Sequence, residues 1–378
     1  MTQPDDKGRG IIGFAEKLLA LLDEGRFTAT YKYAVLIGLM DLCMENSLES
    51  GLAPESVTTR QLAEKVIEIY WPQTSFFNPD SSPSILLQNT NGQAEIVSSI
   101  ATFRTKHAPD LSTPLAQARA AARPAFERLV NRIEWKLIQM PLPRVQRFET
   151  TEDRFVYEIG WTEDVQREEV LKYQRGERGH FDNQIRFKPG VGEYLLQLNG
   201  LLRPLIHRKW AAMVSRLNKL HDAQLEDFLF GVDRTSTTRI RGGIWELQQE
   251  RCFYCSTRIR EPHSAELDHF IPWSRYPDNG IENLVVADKT CNGYKRDFLA
   301  AGEHVLRWST RFSPSSREAI SLKTIAEPIG WERHPDRTWS AARVIYLRLQ
   351  TDYKLWHFQR EFVSADLERI RTAFHFAE

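Results

Sequence analysis

Apolar residues recur at helical spacing through most of the chain. Phe14, Leu18, Leu19 and Leu22 mark a helix over residues 11–23, and Tyr31, Leu36, Leu39 and Leu42 mark a second over 30–45. Thr58 opens a third, capped helix that Trp71 and Pro72 stop. Residues 72–93, rich in Pro, Ser, Asn and Gln, read as a loop or wing. Helices are predicted over 95–106 and 115–123, then from Pro124 to about residue 139, where the proline suits a first turn and Leu129, Ile133 and Leu137 share a face. Alternation of Phe155, Tyr157 and Ile159 predicts a strand over 154–161, and mixed charge with glycine predicts a hinge or exposed loop over 175–192. A long helical pattern starts at Glu193 and is expected to break near Pro204. Further on, 265–271 and 284–287 read as strands around a loop over 275–281, and Asp288 reads as the N-cap of a helix over 289–300. Residues 303–308 read as a further, buttressing helical turn or two. Residues 339–362 read as a helix whose Val344, Leu347, Leu355, Phe358 and Phe362, with Tyr346 and Trp356 beside them, belong to a core. The fold class is therefore α+β and mainly α-helical.

With 378 residues, 42% hydrophobic and 26% charged, the chain has the composition of a packed globular protein of two or three domains. Residues 1–10 are polar and the most apolar stretch, 33–40, is too short to span a bilayer, so a cytoplasmic protein without membrane partners is expected. Four cysteines do not make a disulfide framework.

Net charge is zero, but its distribution is uneven. Counted along the sequence, residues 1–100 carry 7 basic and 13 acidic side chains, 101–220 carry 21 and 14, and 221–378 carry 22 and 23. Only the middle third is basic, so Arg203, Arg208 and Lys209 become candidate phosphate contacts, while Trp210, Met213 and Leu217 read as core and His207 as structural. The Thr-Thr-x-x-Leu-Ala-x-x-Val run from Thr58 is reminiscent of a helix-turn-helix, and the acidity around it points instead to packing or a protein partner. No P-loop or dinucleotide fingerprint is present. Four segments follow: 1–110, a helical module with a possible helix-turn-helix; 111–230, basic and helical with a short β segment; 231–310, which holds the chemistry; and 311–378, helices packing on it.

That chemistry sits in Glu266-Leu267-Asp268-His269-Phe270-Ile271-Pro272, followed by Asn283 and by Cys291-Asn292-Gly293-Tyr294-Lys295. A hard divalent cation wants oxygen ligands, which Asp268 and Asn292 supply while leaving positions for water and phosphate. His269, with an unperturbed pKa of ~6.5, is the natural general base. In a regular strand Asp268 and His269 point oppositely, so a bend after them is needed to aim both at one phosphate. Lys295 and Arg296 lie beside Asn292 on the following helix as candidate phosphate contacts.

Asn283 follows Asp268 by 15 positions (283 − 268) and Asn292 by 24 (292 − 268). Over about residues 235–310 the segment resembles the HNH endonucleases, and its intervals resemble those of the HNH domain of the RNA-guided CRISPR nuclease. The resemblance implies a ββα-metal nuclease domain behind a helical N-terminal module. It also implies one Mg²⁺ or similar ion, His269, Asp268, Asn283 and Asn292 as catalytic residues with Asn283 tying the hairpin, and DNA ahead of RNA as substrate. By company, it implies bacterial restriction or anti-phage defence. The alternatives are an RNA-cleaving nuclease or toxin and a non-catalytic zinc-dependent binding module. Upstream, Cys252-Phe253-Tyr254-Cys255 is placed as in the zinc-stapled branch of these families, but Cys291 lacks the second cysteine of a C-x-x-C. Cys252, Cys255 and Cys291 could hold structural Zn²⁺ with Asp288 or His263 as fourth ligand, or stay reduced and buried. Asp288 as a zinc ligand competes with Asp288 as a free N-cap.

Overall fold

The computed structural model describes residues 4–24, 28–77, 84–110, 112–147, 153–177, 181–220, 225–231 and 234–375. Residues 78–83 of the loop expected over 72–93, and 178–180 of the hinge expected over 175–192, lie outside the described residues. In chain order the elements are α1 (Pro4–Glu24), α2 (Tyr31–Glu45), β1 (Ser56–Thr58), α3 (Thr59–Tyr70), α4 (Glu95–His107), α5 (Leu115–Ala121), α6 (Arg123–Gln139), α7 (Pro141–Arg144), β2 (Tyr157–Ile159), α8 (Arg167–Gln174), β3 (Gln184–Phe187), α9 (Val191–Gln197), α10 (Asn199–Asn218) and α11 (Leu225–Phe230). Then come α12 (Arg234–Leu247), β4 (Glu266–His269), β5 (Leu284–Ala287), α13 (Lys289–Lys295), α14 (Gly302–Ser309), α15 (Arg317–Ala326), α16 (Pro335–Leu347), β6 (Lys354–Phe358), β7 (Glu361–Ser364) and α17 (Leu367–His375). The architecture is α+β and mainly helical.

The chain forms two compact units. One comprises Met1–Cys43, Ala53–Leu111 and Ala121–Gly231; the other Met44–Leu52, Ser112–Ala120 and Val232–Glu378. These units cut across the four segments expected from charge and composition. In the first, β3 pairs antiparallel with both β1 and β2, which joins residues on either side of position 110 in one sheet. Thr58 caps α3 through a reciprocal box, its side chain accepting from the Gln61 N–H while Gln61 Oε1 accepts from the Thr58 N–H at 2.8 Å. The core gathers Leu62, Val66, Ile67 and Tyr70 of α3 with Phe126, Ile133 and Leu137 of α6 and Trp210 of α10. The helical pattern from residue 193 breaks at Leu198 rather than at Pro204, because Pro204 lies early in α10 and removes only one helical donor. The strand β3 lies inside the segment expected to be loop, its length of 4 residues too short for alternation to stand out.

The second unit departs from expectation at two places. The helix expected over 289–300 ends at Lys295, where Arg296 takes φ 46°. The helix expected over 339–362 ends at Leu347, and β6 and β7 form a hairpin in its place. The two departures share a cause. The Trp356 N–H donates to Leu299 O at 2.9 Å and the Ala301 N–H to Trp356 O at 2.8 Å, so the chain leaving α13 runs beside β6 instead of continuing its helix. Leu355 and Trp356 are buried, whereas Phe358 and Phe362 are each 37% exposed, so the aromatic residues are not one core stripe.

Candidate active site and metal cluster

β4 and β5 are antiparallel, with Asp268 opposite Val285 and His269 opposite Leu284. The bend at residues 270 and 271 ends β4 directly after His269. Asn283, fully buried, fastens that bend: its Oδ1 accepts from the Ile271 N–H at 2.8 Å, and its Nδ2 donates to Ile271 O at 3.2 Å and Asp278 O at 3.1 Å. Its own carbonyl accepts from the Phe270 N–H at 2.8 Å. Both ends of residues 271–278 are thus tied to one side chain. From behind, Asp278 accepts from the Gly280 N–H at 2.8 Å and the Thr338 hydroxyl at 2.5 Å, and the Trp331 indole N–H donates to Asn279 O at 2.8 Å. This rigid backing sets the Asn279 side chain against His269, with Oδ1 at 2.9 Å from Nε2.

His269 is half-buried, with its ring 5.3 Å from that of Trp273. Loss of water lowers its pKa below the ordinary imidazole value, against the hydrogen bond that the ring gives to Asn279 Oδ1 and the Asp268 charge, which raise it. The ring is therefore neutral near pH 7. With Asn279 Oδ1 as acceptor, Nε2 carries the proton and Nδ1 presents its lone pair.

Asp268 is buried, and its Oδ2 accepts from the Tyr254 hydroxyl at 2.5 Å and lies 2.9 Å from Lys295 Nζ. Burial and then the Asp268 charge push the Tyr254 phenol well above its usual range, so it stays a donor. Oδ1 has no hydrogen-bond partner among the described residues and is not sealed from solvent. The Asn292 amide, half-buried on α13, likewise has none. Both oxygens remain available to a hard cation, and the donor set fits one. Lys295 departs from expectation. Its side chain is 0% exposed, and Nζ donates to His269 O at 2.8 Å as well as pairing with Asp268. It is an internal clamp on two successive residues and is not available to phosphate. Arg296 is exposed at the end of α13, its Nε donating to Gly293 O at 3.1 Å.

Next to this site the Cys252, Cys255 and Cys291 sulfurs and an Asp288 oxygen all lie within 4.8 Å of one another. Tetrahedral zinc with Zn–S of about 2.3 Å needs neighbouring ligands roughly 3.8 Å apart, so a small contraction closes the site around one ion. The positive φ of Ser256, 61°, and the Cys252 N–H donating to Thr257 O at 2.9 Å fold the knuckle, which docks on β5 through the Phe253 N–H to Val286 O at 2.8 Å. Asp288 divides its oxygens. Oδ1 caps α13 through the Thr290 and Cys291 N–H groups, both at 2.9 Å, and Oδ2 faces Cys255 Sγ at 3.0 Å. Capping and metal ligation, expected to compete, are served by different atoms. Burial opposes ionisation of Asp288, but hydrogen bonds from Cys255, the Cys291 backbone and Cys252 outweigh it and leave a pKa of about 2. A hydrogen bond from Cys291 lowers Cys252 to about 7, and the same bond, with burial, raises Cys291. His263 takes no part: it is 76% exposed and pairs with Glu261.

The basic middle region is reassigned in the same way. Arg203 is 2% exposed and ion-paired with buried Asp41, so it is a core residue and not a phosphate contact. Lys209 pairs with Asp23, and Arg208 is exposed. His207 stacks on Phe230 at 3.9 Å, and burial lowers its pKa to about 3, in keeping with a structural role. Tyr254, Asn279, Trp331 and Thr338 escaped the sequence reading. Tyr254 lies inside the C-x-x-C and Asn279 in the Asp278-Asn279-Gly280 turn, and neither position marks its partner.

The strand pair, the bend tied by Asn283 and the capped helix carrying Asn292 define an HNH endonuclease domain, and the HNH endonuclease family model matches residues 252–301. A domain of unknown function (DUF8808) matches residues 13–229, more than half of the chain, and the protein belongs to that family. Neither a curated relative nor a solved structure gives a significant match.

Proposed function

We propose that the protein is a metal-dependent endonuclease that hydrolyses phosphodiesters of DNA at the β4–β5–α13 unit. The observation that carries this reading is the placement, on successive residues, of a carboxylate with one open oxygen and an imidazole oriented by Asn279. His269 Nδ1 would accept the proton of the attacking water, and Asn279 would hold the ring while charge develops on it. Lys295 and Tyr254, both on Oδ2, keep the Asp268 carboxylate in one orientation with Oδ1 open. A divalent ion held by Asp268 Oδ1 and the Asn292 amide oxygen would supply stabilisation of the negative charge on the phosphate and leaving oxygen. Arg296 would meet a flanking phosphate, and the Cys252, Cys255, Asp288 and Cys291 cluster would take a structural zinc ion beside the site.

The full chain should cleave duplex DNA only with Mg²⁺ or a similar ion, and His269→Ala should cut turnover by about 10²–10⁴-fold while substrate binding persists. Asp268→Ala and Asn292→Ala should shift the metal titration. Wild-type turnover in His269→Ala sinks the assignment, and preference for matched RNA moves the substrate to RNA. A restriction or anti-phage role suits a nuclease domain joined to a second compact unit, and phage plaque counts on bacteria carrying wild type or His269→Ala test it.

A further inference from the structure

The first compact unit contains no part of the proposed nuclease site, yet one of its helices presents an outward face with unusual composition. α2 packs on α3 so tightly that a Cβ at Gly38 would stand 2.8 Å from Leu62 Cδ1. β1 leads into α3, and α3 packs on α6, joined by Arg60 to Asn131 at 2.9 Å and Thr59 to Glu134 at 2.7 Å. β2 and β3 follow, with β3 lying between β1 and β2. Apart from α4, α5, α7 and α8 the order is helix, strand, helix, helix, strand, strand with the first strand paired to the last, as in helix-turn-helix modules that carry a β wing, and here α8 stands between the two wing strands β2 and β3. Residues 71–122 are inserted between the two helices of the pair. In such modules the second helix of the pair is the one offered to DNA.

The second helix here is α6. Its inward side buries Phe126, Leu129, Val130, Ile133, Leu137 and Ile138. Both of its carboxylates are engaged: Glu127 pairs with Arg60, and buried Glu134 accepts from Thr59, from Tyr173 at 3.1 Å and from Gln174 at 2.9 Å. That leaves the outward row positive. Arg128 and Arg132, one turn apart, are exposed and have no ion-pair or hydrogen-bond partner among the described residues. Trp135 continues the row, half-buried, with the Arg167 guanidinium of α8 5.9 Å from its ring. Two exposed arginines with no acidic partner among the described residues, in one row with a ring that carries a third guanidinium, suit a polyanion rather than a protein core.

We propose that the outward face of α6, carried by Arg128 and Arg132 with Trp135 beneath Arg167, docks duplex DNA. This rests on the nucleic-acid reading above, and it gives the family domain a role distinct from cleavage. Residues one turn apart on a helix stand about 6 Å from each other, close to the spacing of neighbouring phosphates on one strand. A helix enters the major groove of B-form DNA, whereas the deep, narrow major groove of A-form RNA excludes one, so the occupant is DNA.

The experiment uses full-length His269→Ala, to block cleavage, and measures binding to a mixed-sequence DNA duplex, the matched single strand and a matched RNA duplex at several salt concentrations. Adding Arg128→Ala and Arg132→Ala should weaken duplex-DNA binding roughly tenfold and lower the salt slope by about 2, one unit per lost phosphate contact. Thermal unfolding should change little, because both arginines are exposed and neither makes an ion pair or hydrogen bond among the described residues. Arg208→Ala with Lys209→Ala serves as the competing surface: if that pair carries the salt slope and the α6 pair does not, the proposal is overturned. It is also overturned if the α6 variant binds duplex DNA like its parent, or if the loss appears only with RNA or single strands. Cleavage by the wild-type chain is measured separately, so an inert α6 face with an active nuclease, and a bound duplex with no cleavage, are distinct results.

Discussion

Replacing Lys295 with Met removes an ammonium group while keeping most of the side-chain volume, in a place where the ammonium has no access to water. Nζ pairs with Asp268 Oδ2 at 2.9 Å and donates to His269 O at 2.8 Å, and the two paired side chains are 0% and 9% exposed. Breaking one member of a buried ion pair costs roughly 3–5 kcal/mol, because the partner charge is left without compensation. Asp268 would keep the Tyr254 hydroxyl on Oδ2 and some water at Oδ1, which places Lys295→Met near the low end, about 3 kcal/mol. For a domain of 150–250 residues each kcal/mol moves the midpoint by about 2–4 °C, so calorimetry should find the transition of the nuclease unit about 6–12 °C lower. Adding Asp268→Asn removes the stranded charge and should recover much of that loss, giving a coupling of about 2 kcal/mol in the double-mutant cycle. A midpoint within about 2 °C of wild type, together with collapsed cleavage, would refute the argument and put Lys295 against the substrate.

Burial, opposed by the hydrogen bond to Asn279, sets the pH dependence of the base. Burial lowers the His269 pKa, so the acid limb of the cleavage profile should lie below the ordinary ~6.5 of a free imidazole. Stability linked to this group should be full above pH ~6.5 and fall as pH drops toward the lowered folded value, since the unfolded chain then binds the extra proton. Asn279→Asp should move the acid limb upward, because a carboxylate favours the imidazolium, and Asn279→Ala should lower kcat with little change in KM; identical pH–rate profiles for both variants would remove Asn279 from the role. Elemental analysis should find about one zinc per chain, with chelation or Cys252→Ser lowering the unfolding temperature, and a metal-free preparation of full stability would assign the cysteines to packing. Arg203→Ala should destabilise the first unit by about 3 kcal/mol by stranding buried Asp41 and leave the salt slope of DNA binding unchanged, which denaturant melts and binding isotherms can check.

The strand Leu284–Ala287, the Asp288 cap and the Thr58 box were legible because each depends on neighbours within a few residues: an apolar run for a strand buried on both faces, and a short oxygen beside free N–H groups for a cap. The chemistry-bearing residues were legible for a similar reason, since Asp268, His269, Asn283 and Asn292 lie on one short supersecondary unit whose spacing is itself the signal. The hairpin Lys354–Ser364 was not, because Leu355, Phe358 and Phe362 satisfy a helical spacing by accident, and only pairing with residues 299–301 makes the extended form the better one.

By itself the sequence determined which residues could do chemistry: an acid, a base, two amides and three thiols gathered within a few dozen positions. Which cations face water was decided only by the tertiary structure. Lys295 and Arg203 look in sequence like Arg128 and Arg132, but the first two are drawn inside by Asp268 and Asp41, and a buried carboxylate accepts a buried cation because neither can remain unpaired without water. The partner of His269 was decided in the same way. Asn279 becomes its orienter because Asn283, Trp331 and Thr338, 4 to 59 positions further along the chain (283 − 279 and 338 − 279), hold the intervening loop in place, and hydrogen bonds over such distances leave no periodic trace.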